Sequence, residues 1–103
     1  TMIRQLEEDQ KRRSKRALTD AIDRALIDLL AIYRDVLMVQ VGGDGELINT
    51  DLSDLVHEIA QDSTRRQTLA RVDHIETARK RLVSNGNPLL VLEDMAISLR
   101  PQA

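Results

Sequence analysis

The 103 residues are enough for one folded domain with its own core, and we take residues 1–103 as a single domain. A content of 42% hydrophobic and 31% charged residues excludes a disordered chain, and no apolar run is long enough to span a membrane. The net charge of −2 argues against binding to nucleic acid through overall charge. The absence of cysteine excludes disulfides and thiolate metal sites and fits a cytoplasmic location, which we expect.

The residue types favour a bundle of α-helices over a β-sheet fold. Tyr33 is the only aromatic residue, so aliphatic side chains, which interdigitate well between helices, must fill the core. The four glycines and two prolines are too few for the frequent turns of an all-β domain. We therefore predict an all-α fold: a compact bundle of four helices, or of five if the first helix is broken.

The first predicted helix runs from Met2 to about Val41, a stretch without glycine or proline. No apolar residue occurs between Glu7 and Arg16, whereas apolar residues recur every three or four positions further on. The predicted buried stripe consists of Leu18, Ile22, Ala25, Leu29, Tyr33 and Val36. The second half therefore belongs to the core, and the first half projects into solvent or toward a missing partner.

A glycine-rich loop separates the first helix from the second. The run Gly42-Gly43-Asp44-Gly45 ends the first helix, because glycine readily takes the left-handed conformation of a helix C-terminus. Asn49 or Thr50 then caps a second helix that ends near Gln61. Its predicted buried stripe consists of Leu52, Leu55, Val56 and Ile59.

Two further helices complete the predicted bundle. Ser63 or Thr64 begins the third, and Asn85-Gly86 ends it. Its predicted buried face consists of Leu69, Val72, Ile75 and Leu82. Asn87 caps the fourth helix, with Pro88 at its first position. This helix runs from Leu89 to about Leu99 and is apolar on three sides, and Pro101 closes the chain.

No residue pattern in the chain predicts catalysis, a metal site or a cofactor site. The loop glycines lack the Gly-Lys-Ser or Gly-Lys-Thr sequence of a phosphate-binding loop. Asp44, Glu46 and Asp51 lack the ligand spacing of an EF-hand, and we interpret them as solvated loop acids. His57 and His74 each stand alone on a predicted helix. We therefore predict a domain that is not an enzyme and takes no small-molecule substrate.

The most unusual local feature is a basic cluster at residues 11–16, where five of six side chains are cationic. The cluster consists of Lys11, Arg12, Arg13, Lys15 and Arg16. Such cations can contact the phosphates of a nucleic acid or an acidic partner. The alternative is a solvated helix turn balanced by Glu7, Glu8 and Asp9.

Four segments together resemble a known family. Residues 25–37 read ALIDLLAIYRDVL, residues 49–52 read NTDL, residues 85–93 read NGNPLLVLE, and residues 6–13 read LEEDQKRR. In order and spacing they resemble the C-terminal collar domains of bacterial clamp-loader subunits, specifically the delta-prime family of DNA polymerase III, to which gamma/tau is related. The likeness spans nearly the whole chain.

The resemblance implies a non-catalytic oligomerisation domain. Full-length members of the family carry an AAA+ module ahead of a collar, and five collars form a ring that holds the loader together while it loads the sliding clamp. The implied partners are gamma/tau and delta subunits, with DNA contacted only indirectly through the complex. The full-length protein would be part of the DNA polymerase III holoenzyme, a nucleotidyltransferase complex. The alternative is a small helical nucleic-acid-binding or regulatory protein that uses the basic cluster.

The predicted helices carry more apolar residues than one stripe needs, and the family supplies a use for the excess. The candidate contacts with neighbouring collars are Ile32, Tyr33, Met38, Val39, Val91, Met95 and Ile97. Each of them is equally compatible with a place in the core, because periodicity does not separate two buried faces of one helix. For Tyr33, Arg34 and Asp35 the alternative is a core tyrosine beside a surface ion pair.

Overall fold

The computed structural model describes residues 1–43, 45–84 and 87–100, and these form four α-helices, one short 3₁₀ helix and no β-strand. The α-helices are α1 (Met2–Gln40), α2 (Ser53–Asp62), α3 (Arg65–Val83) and α4 (Pro88–Ser98), and the 3₁₀ helix is Thr50–Leu52. The all-α prediction is confirmed. The predictions that fall on Asp44, Asn85-Gly86 and Pro101 lie outside the described residues.

Helix α1 is one continuous helix of 39 residues, so the alternative of a broken first helix is wrong. It ends in a Schellman motif at Gly42, whose φ of +73° favours glycine. The Gly42 N–H donates to Val39 O at 3.1 Å, and the Gly43 N–H donates to Met38 O at 3.0 Å. A side chain at residue 43 would overlap the Met38 sulfur. The predicted glycine stop is therefore confirmed at Gly42.

The starts of α3 and α4 agree with the predicted caps. Thr64 Oγ1 accepts from the Gln67 N–H at 3.1 Å, and the Gln67 side chain accepts from the Thr64 N–H at 2.9 Å, which forms a capping box. Asn87 Oδ1 accepts from the N–H groups of Leu89 and Leu90, with Pro88 in the first turn. Helix α2 starts later than predicted, because residues 50–52 form the 3₁₀ helix ahead of it.

The core lies between the second half of α1, α3 and α4. Its buried members are Ile22, Leu26, Leu30, Ile75, Ala78, Leu82, Val91 and Met95. Helix α3 runs antiparallel to α1, since Gln40 bonds Thr68 near one end of the pair and Asp23 bonds Arg79 near the other. The aliphatic composition of this core agrees with the sequence prediction.

The first half of α1 extends beyond the bundle. Ile22 is the first buried residue of the chain, and the twenty residues before it that belong to α1 span about 30 Å at 1.5 Å per residue. This extension accounts for the elongated shape of the chain, which measures 62 × 29 × 18 Å. The predicted projection of the polar half is confirmed.

The predicted stripes need correction at four positions. Leu69 of α3 is 53% exposed, whereas its neighbour Thr68 is fully buried. Leu18 and Leu55 are also exposed, as is Ala25. Leu18 lies beyond the end of the bundle, where no other element covers α1.

Gln40 explains why α3 turns Thr68 rather than Leu69 inward. The Thr68 hydroxyl donates to Gln40 Oε1 at 2.7 Å, and Gln40 Nε2 donates to the carbonyl groups of Ala60 and Ser63 at 3.3 and 3.0 Å. One glutamine thus binds the end of α2 and the start of α3. Burying a hydroxyl group costs little free energy when the group has a hydrogen-bond partner, whereas burying an unpaired hydroxyl group destabilises the fold.

We expect Ile75→Ala to lower the free energy of unfolding by about 2–5 kcal/mol, because the fully buried Ile75 side chain would leave a cavity. Leu69→Ala, on the same helix but more than half exposed, should cost less than about 1 kcal/mol. Urea unfolding followed by circular dichroism measures both values. Equal losses would contradict the orientation of α3 described here.

Candidate interaction surfaces

Helix α4 has a packed side and an open apolar side. Its packed side consists of Pro88, Val91 and Met95, all of which are buried. On the other side, Leu89, Leu90 and Ile97 are 58%, 59% and 59% exposed, and the exposed Glu93 lies among them at 100° per residue. Large aliphatic side chains that remain exposed together on one helix are typical of a surface that a partner covers.

The predicted interface residues of α4 divide between these two sides. Ile97 is on the open side, as an interface residue must be. Val91 and Met95 are only 6% and 7% exposed and belong to the core, so they are not available to a partner. The reason is spacing: residues 91 and 95 lie one helical turn apart and both face α3. Leu89 and Leu90, which the sequence analysis did not single out, take their place on the exposed surface.

The predicted interface residues of α1 do not form one surface. Ile32 and Val39, seven residues apart, share a face and are half-buried. Met38 lies on a different face, is 38% exposed, and has its side chain near Gly43 and Gly45. Tyr33 is half-buried and packs against the core. None of these four side chains is fully buried, so their contact with a neighbouring domain stays a prediction.

Tyr33 also borders a shallow cleft of about 350 Å³ between the helices. The Arg71 guanidinium stands 6.0 Å from the centroid of the Tyr33 ring, at the outer limit of a cation–π contact. The other described side chains around the cleft are Leu55, Glu58, Ile59, Asp62, Ser63 and Leu99. The mixture of apolar and charged groups suits the edge of a protein contact better than a closed ligand pocket.

Asp35 is buried at 2% exposure and holds the loop that precedes α2. Its Oδ1 accepts from the Ile48 N–H at 2.7 Å, and its Oδ2 accepts from the backbone and side-chain N–H groups of Asn49 at 2.8 and 3.0 Å. The alternative reading of Asp35 as part of a surface ion pair is therefore wrong. One carboxylate fixes both the end of the loop and the start of the 3₁₀ helix.

The hydrogen bonds outweigh burial in setting the charge state of Asp35. Burial works to raise the pKa of this carboxyl, but the N–H groups of Ile48 and Asn49 stabilise the ionised form and hold the pKa below its usual value. Asp35 and Asn49 both belong to segments that carry the family resemblance, residues 25–37 and 49–52. Periodicity does not reveal such a pair, because the two residues are fourteen positions apart and in different elements.

A second carboxylate connects α1 to α3. Asp23 accepts from Arg79 Nε at 2.8 Å and from Nη2 at 3.3 Å. The Arg79 hydrogen bond lowers the pKa of Asp23 against the opposing effect of desolvation. Both side chains are about one-third exposed, so this pair contributes at most about 1 kcal/mol and serves chiefly to align the two helices.

The basic cluster lies on the projecting half of α1. All five of its side chains are exposed, and Arg12 forms an ion pair with Asp9 one turn earlier. No element of residues 45–84 or 87–100 covers this half of the helix. Among the described residues, the contact of Arg12 with Asp9 is the only ion pair that involves these five cations.

The remaining sequence candidates are isolated on the surface. His57 and His74 are exposed, and the His57 ring contacts only its own helix, with Nδ1 2.8 Å from Ser53 O. Glu46 is an exposed loop acid, whereas Asp51 is exposed on the 3₁₀ helix. Among the described residues no three potential ligands approach one another closely enough to bind a metal ion. None of the described helices is both long and apolar enough to cross a membrane.

We expect Asp35→Ala to lower the free energy of unfolding at pH 7 by about 1–3 kcal/mol, because two backbone N–H groups lose their acceptor. The pKa of Asp35 is lower in the folded chain than in the unfolded one. Its stabilisation is therefore present above the unfolded pKa of about 3.9 and is lost as the pH falls through the folded pKa. Urea unfolding at several pH values should show the gap between wild type and variant closing as the solution becomes acidic.

Asp28→Ala is the matched control for this change, since Asp28 is exposed on the same helix. It should alter the free energy of unfolding by less than about 0.5 kcal/mol at any pH. If the gap between wild type and Asp35→Ala stayed constant down to the most acidic condition, Asp35 would not titrate as the structure requires.

Comparisons with known proteins agree with the resemblance seen in the sequence. A family model described as "DNA polymerase III, delta subunit, C terminal" matches residues 2–100. The chain is 36% identical over 72 residues to DNA polymerase III subunit delta' of Bacillus subtilis (strain 168), and the aligned part covers 70% of this chain but 22% of that protein. No solved structure gives a significant match. The chain therefore belongs to the family of C-terminal domains of DNA polymerase III delta subunits, with delta-prime as the member it resembles, and so to the proteins of DNA replication.

Proposed function

We propose that this chain is the collar domain of a clamp-loader delta-prime subunit and that it works by packing its helices against the collars of neighbouring subunits. Its role in this proposal is oligomerisation rather than catalysis. The neighbours are gamma/tau and delta subunits of a cytoplasmic DNA polymerase III, and an AAA+ module of the same polypeptide supplies the contacts with the clamp.

The open side of α4 is the observation that supports this proposal. Leu89, Leu90 and Ile97 are each more than half exposed on a helix whose opposite side is already packed. If three such side chains were covered, each would contribute about 1–2 kcal/mol at roughly 25 cal/mol per Å² of apolar surface removed from water. A surface of this kind stabilises association without any change in the fold of the bundle.

The position of α4 also suits it to assembly. It is the last helix of the described chain and contacts α3 and α1 but not α2, so its outer side is free of the rest of the bundle. Asn87 and Pro88 fix where it begins. The open side is therefore held in a defined orientation before a partner arrives, which lowers the entropic cost of binding.

We expect Leu90→Asp combined with Ile97→Asp to prevent assembly while the domain stays folded. Both side chains are exposed, so the fold tolerates the charges, but a covered interface does not accept two unpaired carboxylates. The measurement is co-purification of the full-length protein with the gamma/tau and delta subunits of its own organism, alongside thermal unfolding of the variant.

Leu69→Asp is the matched control, because Leu69 is similarly exposed but lies on α3. It should assemble as the wild type does. Val91→Asp, by contrast, places a charge in the core and should unfold the domain. The proposal is wrong if the α4 double variant stays folded and still co-purifies with both partners at wild-type yield.

A further inference from the structure

The projecting half of α1 concentrates positive charge that the proposed assembly surface does not use. Residues 1–16 contain six of the fifteen Lys and Arg residues but only three of the seventeen Asp and Glu residues. The net charge of −2 is therefore the sum of a positively charged extension and a negatively charged bundle. Such a separation of charge creates a local field that total charge does not report.

Four cations of the cluster share one side of α1. At 100° per residue they fall within an arc of about 140°, and we call them the basic face. The basic face consists of Lys11, Arg12, Lys15 and Arg16. Arg13 lies outside this arc and borders a shallow groove on the other side of the helix, next to Leu6 and Ala17.

The basic face continues the buried stripe of the same helix. Ile22, Leu26 and Leu30 lie at angles within the same arc, so the side of α1 that packs in the core becomes cationic where the bundle ends. Arg79 of α3 lies level with Asp23 of α1, because their side chains form a hydrogen bond. Helix α3 ends at Val83, which is about 6 Å beyond Arg79 along the helix axis at 1.5 Å per residue. Arg16 is about 10 Å beyond Asp23 by the same measure, so the basic face begins just past the end of α3.

We propose that the basic face binds the phosphate backbone of duplex DNA without sequence preference, a direct contact where the family resemblance implies only an indirect one. Lysine and arginine side chains on a rigid helix neutralise phosphates and release the counterions condensed on the duplex. Side chains four positions apart stand about 6 Å apart along the helix, so Lys11 with Lys15, and Arg12 with Arg16, reach successive positions on a strand. The bundle and its α4 surface remain free for other subunits.

The composition of the basic face favours DNA over an acidic protein. Protein interfaces usually contain an apolar centre, whereas no apolar residue occurs between Glu7 and Arg16. Interfaces with DNA are more polar and much more positively charged. The same stretch has no aromatic side chain on which unpaired bases could stack, so a duplex suits it better than a single strand.

Salt dependence of binding tests the proposal directly. The chain of 103 residues is titrated with a fluorescent 20-base-pair duplex, and anisotropy is recorded between 50 and 200 mM NaCl. Four phosphate contacts predict a slope of about −3.6 for log affinity against log salt, which is a loss of about 10² across this range. A single strand of equal length should bind more weakly.

The variant in which Lys11, Arg12, Lys15 and Arg16 all become Gln should lose this binding. Glutamine is a good helix former, so circular dichroism should show unchanged helix content. The matched control is the double variant Arg65→Gln with Arg66→Gln. These two exposed cations lie at the start of α3, the end far from the basic face, and their replacement should leave both the affinity and the salt slope unchanged. Replacing Glu8 by Gln, which removes an acid on the same side of α1, should raise the affinity about twofold or more.

Three results would overturn the proposal. The first is no binding at 50 mM NaCl, and the second is a loss of affinity no larger in the variant with four Gln substitutions than in the Arg65 and Arg66 control. The third is displacement of the duplex by polyglutamate at a matched concentration of charge, since an acidic polypeptide would then be the better ligand. The α4 residues are untouched in every variant, so failure here leaves the assembly proposal standing.

Discussion

Ile75 of α3 is fully buried in the hydrophobic cluster that α1, α3 and α4 share, and the packing of these three helices is centred on this cluster. Helix α4 packs on the same cluster through Val91 and Met95, and Gln40 attaches the end of α2 to α3. Polar groups at both ends of the α1–α3 pair set its register, with Thr68 at one end and Asp23 at the other. Apolar burial supplies most of the stabilisation, and these directional bonds select one arrangement among the many that aliphatic side chains would accept.

The bundle and the extension of α1 also expose different kinds of side chain. The bundle buries one side of α4 and leaves the other side apolar, while the extension of α1 exposes only polar and charged groups over residues 7–16. The proposed assembly surface and the basic face therefore lie on different elements. Because they share no residue, a change in one need not disturb the other, and each can be altered separately by mutation.

Helix positions and caps were predictable from the sequence because they depend on local chemistry. The glycines after α1, Thr64 and the Asn87-Pro88 pair act within a few residues of themselves. The choice of Thr68 over Leu69 depends instead on Gln40, which is 28 positions away, and the burial of Asp35 depends on Asn49. Apolar periodicity could not separate Val91 from Leu90, because nearly every side of α4 is apolar and only the position of α3 decides which side is covered.

The uninterrupted course of α1 has a mechanical consequence. With no glycine or proline between Met2 and Gln40, the helix has no hinge where the projecting half leaves the bundle. The extension and the core therefore turn as one body, and a 10° tilt of the bundle displaces Met2 by about 5 Å over a length of about 30 Å. A small rotation of the bundle is thereby converted into a larger movement at the far end of this helix.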